Sequence, residues 1–326
     1  MINLTNRLLL TALLALSGAV LAACGDDEDP ATTATPDPSS PSSGNGTDIP
    51  SGELGNIAEV ATEAGNFTIL LQAVEAAGLA DALAGTDDLT VFAPTDAAFE
   101  AAITALGTTA DDLLADTELL GTVLTYHVVA GTVLSTDLET GPASTLGGLS
   151  LWVNLLPEGV RINNAAVTAA DVRASNGVIH VIDAVMLPAN IVDMATYAGL
   201  NTLVSAVDAA NLGGTLADPT NSLTVFAPSD EAFDAALTAL GLTADALFAD
   251  EELLGNILGY HVFPAAALSS ELSDGQVLEM FNGEDATVDL TALTVGGARL
   301  GVLDIVVTNG VIHTLDDVMV PPSLED

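Results

Sequence analysis

The sequence predicts an α+β protein built as two similar domains in tandem. An eleven-residue segment of the first half returns 134 residues later with two substitutions, and two shorter motifs return in the same order at almost the same offset. The repeated pairs are Leu89–Phe99 with Leu223–Phe233, Tyr126-His127 with Tyr260-His261, and Asn176–His180 with Asn309–His313. This period is far longer than the roughly 20–50 residues of a solenoid unit, so each copy is large enough to be a domain.

The long repeated segment predicts a buried strand, a turn and a capped helix. In the first copy, Leu89–Phe92 is a short apolar, β-branched run, and Pro94 ends it. Thr95 can then cap a helix, and Asp96 in the first turn complements the helix dipole. The helix is predicted to end at Gly107. The counterparts in the second copy are Pro228, Ser229, Asp230 and Gly241.

Both helices predicted for the first copy have apolar residues at helical spacing. On the first helix these are Phe99, Ile103 and Leu106. The second helix is predicted over Thr117–Tyr126 and again over Glu251–Tyr260, and in the first copy its apolar residues are Leu119, Leu120, Val123 and Leu124. It ends in the Tyr-His pair, so we expect Tyr126 and His127, like Tyr260 and His261, to fasten the helix to the sheet.

The last motif predicts a β-hairpin in each copy. Asn176-Gly177 and Asn309-Gly310 lie between β-rich runs. Asn-Gly is the strongest short hairpin signal, because both residues tolerate a positive φ. The C-terminal part of each copy is therefore predicted to be antiparallel sheet.

Together these motifs resemble the signature of the fasciclin-like domain. The segments LTVFAPTDAAF and NGVIHVID in the first copy, LTVFAPSDEAF and NGVIHTLD in the second, are similar to the two family boxes, and Tyr-His lies between them. The resemblance covers 54–188 and 189–322. It implies two tandem α+β domains, each an antiparallel β wedge or sandwich of about seven strands with packed helices. The fold-signature residues are Pro94, Thr95, Asp96, Asn176, Gly177, His180, Pro228, Ser229, Asp230, Asn309, Gly310 and His313.

The N-terminus predicts export and a lipid anchor. Arg7 and the apolar run Leu8–Leu16 are typical of a signal peptide, predicted over residues 1–23. The run ends in Leu-Ala-Ala-Cys, which resembles a bacterial lipobox, and Cys24 is the only cysteine, so Cys24 is predicted to carry lipid. The alternative is an ordinary signal peptide with an incidental cysteine. Residues 24–53, acidic and rich in Pro, Ser and Thr, predict a disordered tether, and residues 323–326 a short tail.

The charge of the chain limits its partners. Lys and Arg total 4 against 45 Asp and Glu, there is no lysine, and the formal net charge is −41. Such a chain cannot neutralise phosphates, so we expect no nucleic-acid partner and poor binding to anionic lipid headgroups. The acidity is consistent with a saline habitat, where salt screens the self-repulsion, and equally with a solubility feature of an exported protein.

No motif predicts an enzyme, a metal site or a cofactor. His127, His180, His261 and His313 fall two per copy in separate motifs, without an HExxH pair, so structural hydrogen bonding is favoured over a zinc or copper site. A nucleophile elbow and a phosphate loop are both absent. The acidic pairs suggest diffuse cation binding rather than a calcium loop. Those pairs are Asp87-Asp88, Asp111-Asp112 and Asp316-Asp317.

The functional prediction is a lipid-anchored cell-envelope protein that mediates adhesion or matrix contact. The resemblance implies partners such as a cell-surface or matrix protein or polysaccharide, with homophilic contact as a further option. It also suggests Tyr126-His127, Tyr260-His261 and residues 188–194 as contact segments, against the simpler interpretation that they are core. The protein would face the periplasm or the cell exterior. The alternative is an envelope lipoprotein that binds a small ligand or cation, which predicts a pocket with convergent polar groups.

Overall fold

The structure, a computed structural model, describes residues 54–324. The predicted signal peptide, Cys24, the whole of the predicted tether and the last two residues lie outside the described residues. The first repeat contains helices Ile57–Ala64 (α1), Thr68–Ala76 (α2), Ala80–Leu83 (α3), Asp96–Leu106 (α4), Ala110–Ala115 (α5) and Thr117–Tyr126 (α6). The second contains Ile191–Tyr197 (α7), Asn201–Ala209 (α8), Gly213–Ala217 (α9), Asp230–Leu240 (α10), Ala244–Phe248 (α11) and Glu251–Tyr260 (α12).

The strands repeat in the same way. Those of the first repeat are Leu89–Pro94 (β1), Val128–Ala130 (β2), Gly141–Ser144 (β3), Ser150–Leu156 (β4), Gly159–Ile162 (β5), Ala165–Ala174 (β6) and Gly177–Ile182 (β7). Those of the second are Leu223–Pro228 (β8), Val262–Phe263 (β9), Val277–Glu279 (β10), Asp285–Asp289 (β11), Thr294–Val295 (β12), Ala298–Arg299 (β13), Ile305–Val307 (β14) and Gly310–Leu315 (β15). The described part of the second repeat also has two 3₁₀ turns, Ser269–Glu271 between β9 and β10 and Pro322–Leu324 after β15.

The first repeat has the predicted seven strands, in the order β2-β1-β7-β6-β5-β4-β3. One pairing differs from the antiparallel prediction, because β1 and β7 run parallel, with Phe92 opposite His180. The reason is the long connection between them, which passes through helices and can bring the chain back in the same direction. Both strands are buried along their whole length, as is usual for parallel strands.

The second repeat divides its strands between two four-stranded sheets, β10-β11-β12-β13 and β14-β15-β8-β9. Its first and last long strands, β8 and β15, are again parallel, with Phe226 opposite His313. A single bridge between Leu300 and Leu315 joins the segment after β13 to β15. The two motifs at the ends of each copy thus meet at the centre of each fold.

Each repeat buries apolar side chains on both faces of this central pair. In the first repeat, Phe99 and Leu120 of the helices belong to the core on one face, whereas Phe92, Tyr126 and Ile182 belong to the core on the other. The second repeat has the same two cores. Among residues 54–324, no helix is long and apolar enough to cross a bilayer.

The predicted helix boundaries are confirmed. Thr95 caps α4 by accepting a hydrogen bond from the Ala98 amide at 3.3 Å, and Gly107 ends the helix with φ +65°. The second helix spans the predicted residues in both repeats. The predicted apolar faces are wrong at two positions, because Leu106 is 51% exposed and Leu119 is 41% exposed. The side chains of α4 that are buried lie in its first turn, so its last turn extends beyond the core.

Both hairpins are confirmed, but their two turn residues are Ser175-Asn176 and Thr308-Asn309, so each glycine is the first residue of the second strand. Ala174 lies opposite Gly177 in β6–β7, and Val307 lies opposite Gly310 in β14–β15. Gly177 has φ +145°, and a Cβ there would overlap the carbonyl oxygen of Leu89 on the parallel neighbour. Glycine is therefore required both by its positive φ and by the close approach of β1.

We expect Gly177→Ala to lower the free energy of unfolding by about 3 kcal/mol, because it combines a strained φ with a backbone clash. Gly121→Ala in α6 is the matched control, since a Cβ there meets no atom within 4 Å. That change should be neutral or stabilise by up to about 1 kcal/mol. Urea unfolding of both variants measures the difference, and equal stabilities would refute this account of Gly177.

Candidate functional site

The Tyr-His pair of each repeat lies in the interior, at the C-terminal end of α6 or α12. Tyr126, His127, Tyr260 and His261 are all buried. The helices carry them inward because the residues on the same side, such as Val123 in α6, are also buried. Neither pair reaches the surface. The third suggested contact segment, residues 188–194, is also partly interior, since Ala189, Ile191 and Met194 are buried.

The two tyrosines connect the helix ends to neighbouring strands. The Tyr126 hydroxyl donates to the Ser150 carbonyl at 2.9 Å and accepts from the Asn163 side-chain amide at 2.8 Å. Burial raises the pKa of Tyr126 to about 12, so the hydroxyl stays a neutral donor. The Tyr260 hydroxyl donates to the Asp285 carbonyl at 3.0 Å.

His127 and His261 join the same helix ends to the segments that leave each repeat. Nδ1 of His127 donates to the Val123 carbonyl at 2.7 Å, and Nε2 accepts from the Met186 amide at 3.0 Å. His261 makes the same bonds, to Ile257 and from Met319, at 2.8 and 3.0 Å. An amide can only donate, so the neutral tautomer with its proton on Nδ1 is fixed. Burial lowers the pKa of both histidines to about 4, and neither ring has a free lone pair for a metal.

His180 and His313 are fixed in the opposite tautomer. Nε2 of His180 donates to the Val133 carbonyl at 2.9 Å, and Nδ1 accepts from the Asp171 amide at 3.3 Å. His313 repeats this with Ala267 and Asp304, at 3.0 and 3.1 Å. Burial lowers the pKa of His313, although the nearby Asp304 carboxylate opposes the shift. All four predicted histidines therefore act through hydrogen bonds to the backbone.

The asparagines of the hairpins join the start of each repeat to its end by hydrogen bonds. The Asn176 side chain accepts from the Ile57 amide at 2.9 Å and donates to the carbonyls of Leu83 and Gly85 at 2.8 and 2.9 Å. Asn309 makes the equivalent three bonds in the second repeat, to Ile191, Leu216 and Asp218. This use of the side chain was not predicted from the Asn-Gly turn signal.

The acidic residue after each cap also reaches another helix. Asp96 accepts from the Ile69 amide at 2.8 Å, and Asp230 accepts from the Thr202 amide at 2.8 Å. Ile69 and Thr202 lie in the first turns of α2 and α8, where amides lack partners within the helix. The aspartate thus gives a hydrogen-bond partner to an amide of the neighbouring helix, in addition to complementing the dipole of its own helix as predicted.

One further arrangement shared by the two repeats, at Thr90 and Thr224, was not predicted from the sequence. The Thr90 hydroxyl donates to the Gly131 carbonyl at 2.7 Å and accepts from the Val133 amide at 2.8 Å. Thr224 makes the same pair of bonds with Ala265 and Ala267. The signal was present, because a polar residue stands second in an otherwise apolar run in both copies.

Two apolar cavities lie at equivalent places under the Tyr-His segments. One, of about 70 Å³, is lined by residues that include Leu70, Val74 and His127, and the other, of about 30 Å³, by their counterparts Leu203, Val207 and His261. For comparison, an engineered apolar cavity of about 150 Å³ in another protein stays dry and binds benzene. These cavities are smaller, and they do not show the convergent polar groups that the small-ligand hypothesis predicts.

The charges of the protein are kept at its surface. None of the Asp and Glu side chains in the described residues 54–324 is buried, and all three acidic pairs singled out in the sequence are exposed. Within that range, no three His, Cys, Asp or Glu side chains come together as around a metal ion. The polar side chains that are buried are uncharged Thr, Ser, Asn and His.

The buried histidines should make stability depend on pH. Since their folded pKa is about 4, against about 6.5 unfolded, the stability they give is complete above pH 6.5 and is lost as the pH falls towards 4. By pH 5 the loss should be about 2 kcal/mol for each of His127 and His261. Urea unfolding between pH 7 and 5 in about 1 M NaCl, which screens the carboxylates, measures it. His127→Gln should remove the part of this pH dependence that His127 contributes. A free energy of unfolding that stays constant between pH 7 and 5 would contradict the assignment.

The chain is similar in sequence to proteins from bacteria and from a mammal. "Protein sll1483" of Synechocystis is 45% identical over 133 residues, 40% of this chain and 73% of that protein. "Transforming growth factor-beta-induced protein ig-h3" of Sus scrofa is 30% identical over 280 residues, 83% of this chain but 40% of that protein. "Cell surface glycolipoprotein MPB83" of Mycobacterium bovis is 38% identical over 110 residues, 34% of this chain and 48% of that protein.

A solved domain pair from the insect cell adhesion molecule Fasciclin I aligns with a TM-score of 0.48 and 17% identity, over 81% of this chain and 96% of that chain. The model of the Fasciclin domain family matches twice in tandem, at residues 65–188 and 198–321. Both matches lie inside the predicted domains 54–188 and 189–322, whose outer limits stay predictions. With two matches that together cover most of its length, the chain belongs to the Fasciclin domain family.

Proposed function

We propose that this protein is an exported cell-envelope protein, held to a membrane by lipid on Cys24, whose two fasciclin domains mediate adhesion or contact with surface and matrix components. The family membership supports the surface role. The mycobacterial relative is named a cell surface glycolipoprotein, which supports the combination of a fasciclin domain with a lipid anchor. Residues 24–53 would then hold the domains away from the headgroups.

The observation that carries the proposal is the division between interior and surface. The tyrosine, histidine and asparagine residues of the motifs are buried and hydrogen-bonded, so they build the fold. The carboxylates of the described residues remain outside. A partner therefore meets an acidic outer surface, because the two cavities inside the described domains are small and apolar.

This surface selects the class of partner. A protein of net charge −41 repels polyanions, and its attraction to a basic partner would weaken with salt. Neutral polysaccharide, a neutral face of another protein, or a second copy of this chain would instead be approached more easily as salt screens the charge. We favour neutral partners or a second copy of this chain over a basic partner, because a tethered acidic protein meets cell envelopes that are themselves mostly anionic or neutral.

Cys24→Ser tests the anchor. The diacylglyceryl group is joined through the thiol, so the wild-type chain should incorporate labelled lipid in a bacterial host and the serine variant should not. The readout is the label on the purified protein, because an unprocessed signal peptide could keep the variant in the membrane fraction. A wild-type chain without label would refute lipidation while leaving the adhesion proposal intact.

Retention of coated beads tests adhesion. Beads carrying the chain without its first 23 residues should stick to one another, to the producing cells or to envelope polysaccharide more strongly as NaCl rises from about 0.05 to 1 M, since the Debye length shrinks from about 14 to 3 Å. Beads coated with an unrelated protein of similar charge are the control. Retention that falls with salt would indicate a basic partner instead, and no retention on any surface would refute adhesion.

A further inference from the structure

Strands β4 and β11 occupy the same place in the two repeats. The Tyr126 hydroxyl bonds to the first residue of β4, and the Tyr260 hydroxyl bonds to the first residue of β11. The pairing with the preceding strand also has the same register. The equivalent positions are therefore Ser150 with Asp285, Trp152 with Thr287, and Asn154 with Asp289.

These equivalent side chains have opposite environments. On β11 the burial alternates, and Asp285, Thr287 and Asp289 are all exposed. On β4 the alternation is lost, because Ser150 is 3% exposed and Trp152 is 7% exposed. Something must cover the outer face of β4, and that cover is the second repeat, since β4 lies against α7 and β14.

Trp152 enters the core of the second repeat. Every other residue of the buried cluster to which it belongs, including Met194, Leu203 and Phe233, lies at or after Ala189. Burial of an aromatic side chain is worth a few kcal/mol and is a frequent anchor of interfaces. This tryptophan, the only one in the sequence, thus joins two domains rather than filling its own.

Two hydrogen bonds between the repeats flank the tryptophan. The Ser150 hydroxyl accepts from the Val306 amide of β14 at 3.0 Å. The Asn154 side-chain amide donates to the Tyr197 carbonyl at the end of α7 at 2.8 Å, and its oxygen accepts from Trp152 Nε1 at 3.2 Å. The polar groups around the indole are therefore satisfied across the boundary, and a rotated arrangement of the domains would leave them without partners.

The fold of a single repeat does not need these three residues. The second repeat forms the same strand and the same tyrosine bond with Asp, Thr and Asp in their places. We propose that Ser150, Trp152 and Asn154 are a lock that fixes the two fasciclin domains as one rigid body. The lock holds the acidic surfaces of both domains in a fixed mutual orientation, whatever partner they meet.

The test replaces Ser150, Trp152 and Asn154 of β4 with the residues at the equivalent positions of β11. In the full chain at about 1 M NaCl, wild type should unfold in one calorimetric transition and scatter X-rays as a single rigid body. The variant S150D/W152T/N154D should show two separate transitions and a larger maximum dimension. The control is D285S/D289N, which changes charge on the exposed strand and should leave one transition and the wild-type scattering profile.

A second variant keeps the test decisive if the triple variant fails to fold. S150D/N154D retains Trp152, whose emission reports its surroundings directly because no other tryptophan is present. We expect a shift to longer wavelength and a several-fold rise in quenching by acrylamide. Unchanged emission and quenching there, or a single transition with wild-type scattering in a folded triple variant, would overturn the lock.

Discussion

The parallel pairing of the first and last strands of each repeat is the constraint on which the rest of the structure depends. It places Phe92 opposite His180 in one domain and Phe226 opposite His313 in the other. Both strands of each pair lie between two apolar cores, so any polar side chain on or beside them must find its partner inside. The motif residues are those partners.

The hydrogen bonding of the buried polar groups to one another follows from that pairing. Val133 shows how complete it is, since its amide donates to Thr90 and its carbonyl accepts from His180. Ala267 is held in the same way by Thr224 and His313. A donor or acceptor left unsatisfied at such a site costs about 1–3 kcal/mol, so one substitution affects the strand and the connection together. The carboxylates of the described residues, in contrast, remain in contact with solvent.

The elements could be predicted from sequence because their signals are local. The Thr95 and Ser229 caps, the Gly107 stop and the two hairpins depend only on neighbouring residues, and each is where it was predicted. The parallel pairing was not predicted, because it joins segments about 90 residues apart. For the same reason the sequence showed that Tyr-His and Asn176 matter but not which backbone groups they bind. The partner face of Trp152 belongs to the other domain, so no pattern within one repeat could reveal it.

The position of β7 determines how a tethered molecule would carry mechanical load. Asn176, just before β7, is bonded to the first residue of α1, and Met186, shortly after β7, is bonded to His127. A pull on the two ends of the repeat would therefore reach the two ends of this central strand, beginning at the hydrogen bond between Asn176 and the Ile57 amide. Forced unfolding depends on the rate of unfolding rather than on the equilibrium free energy of unfolding. The resistance of each repeat to a steady pull is thus set by how fast the ends of β7 come loose.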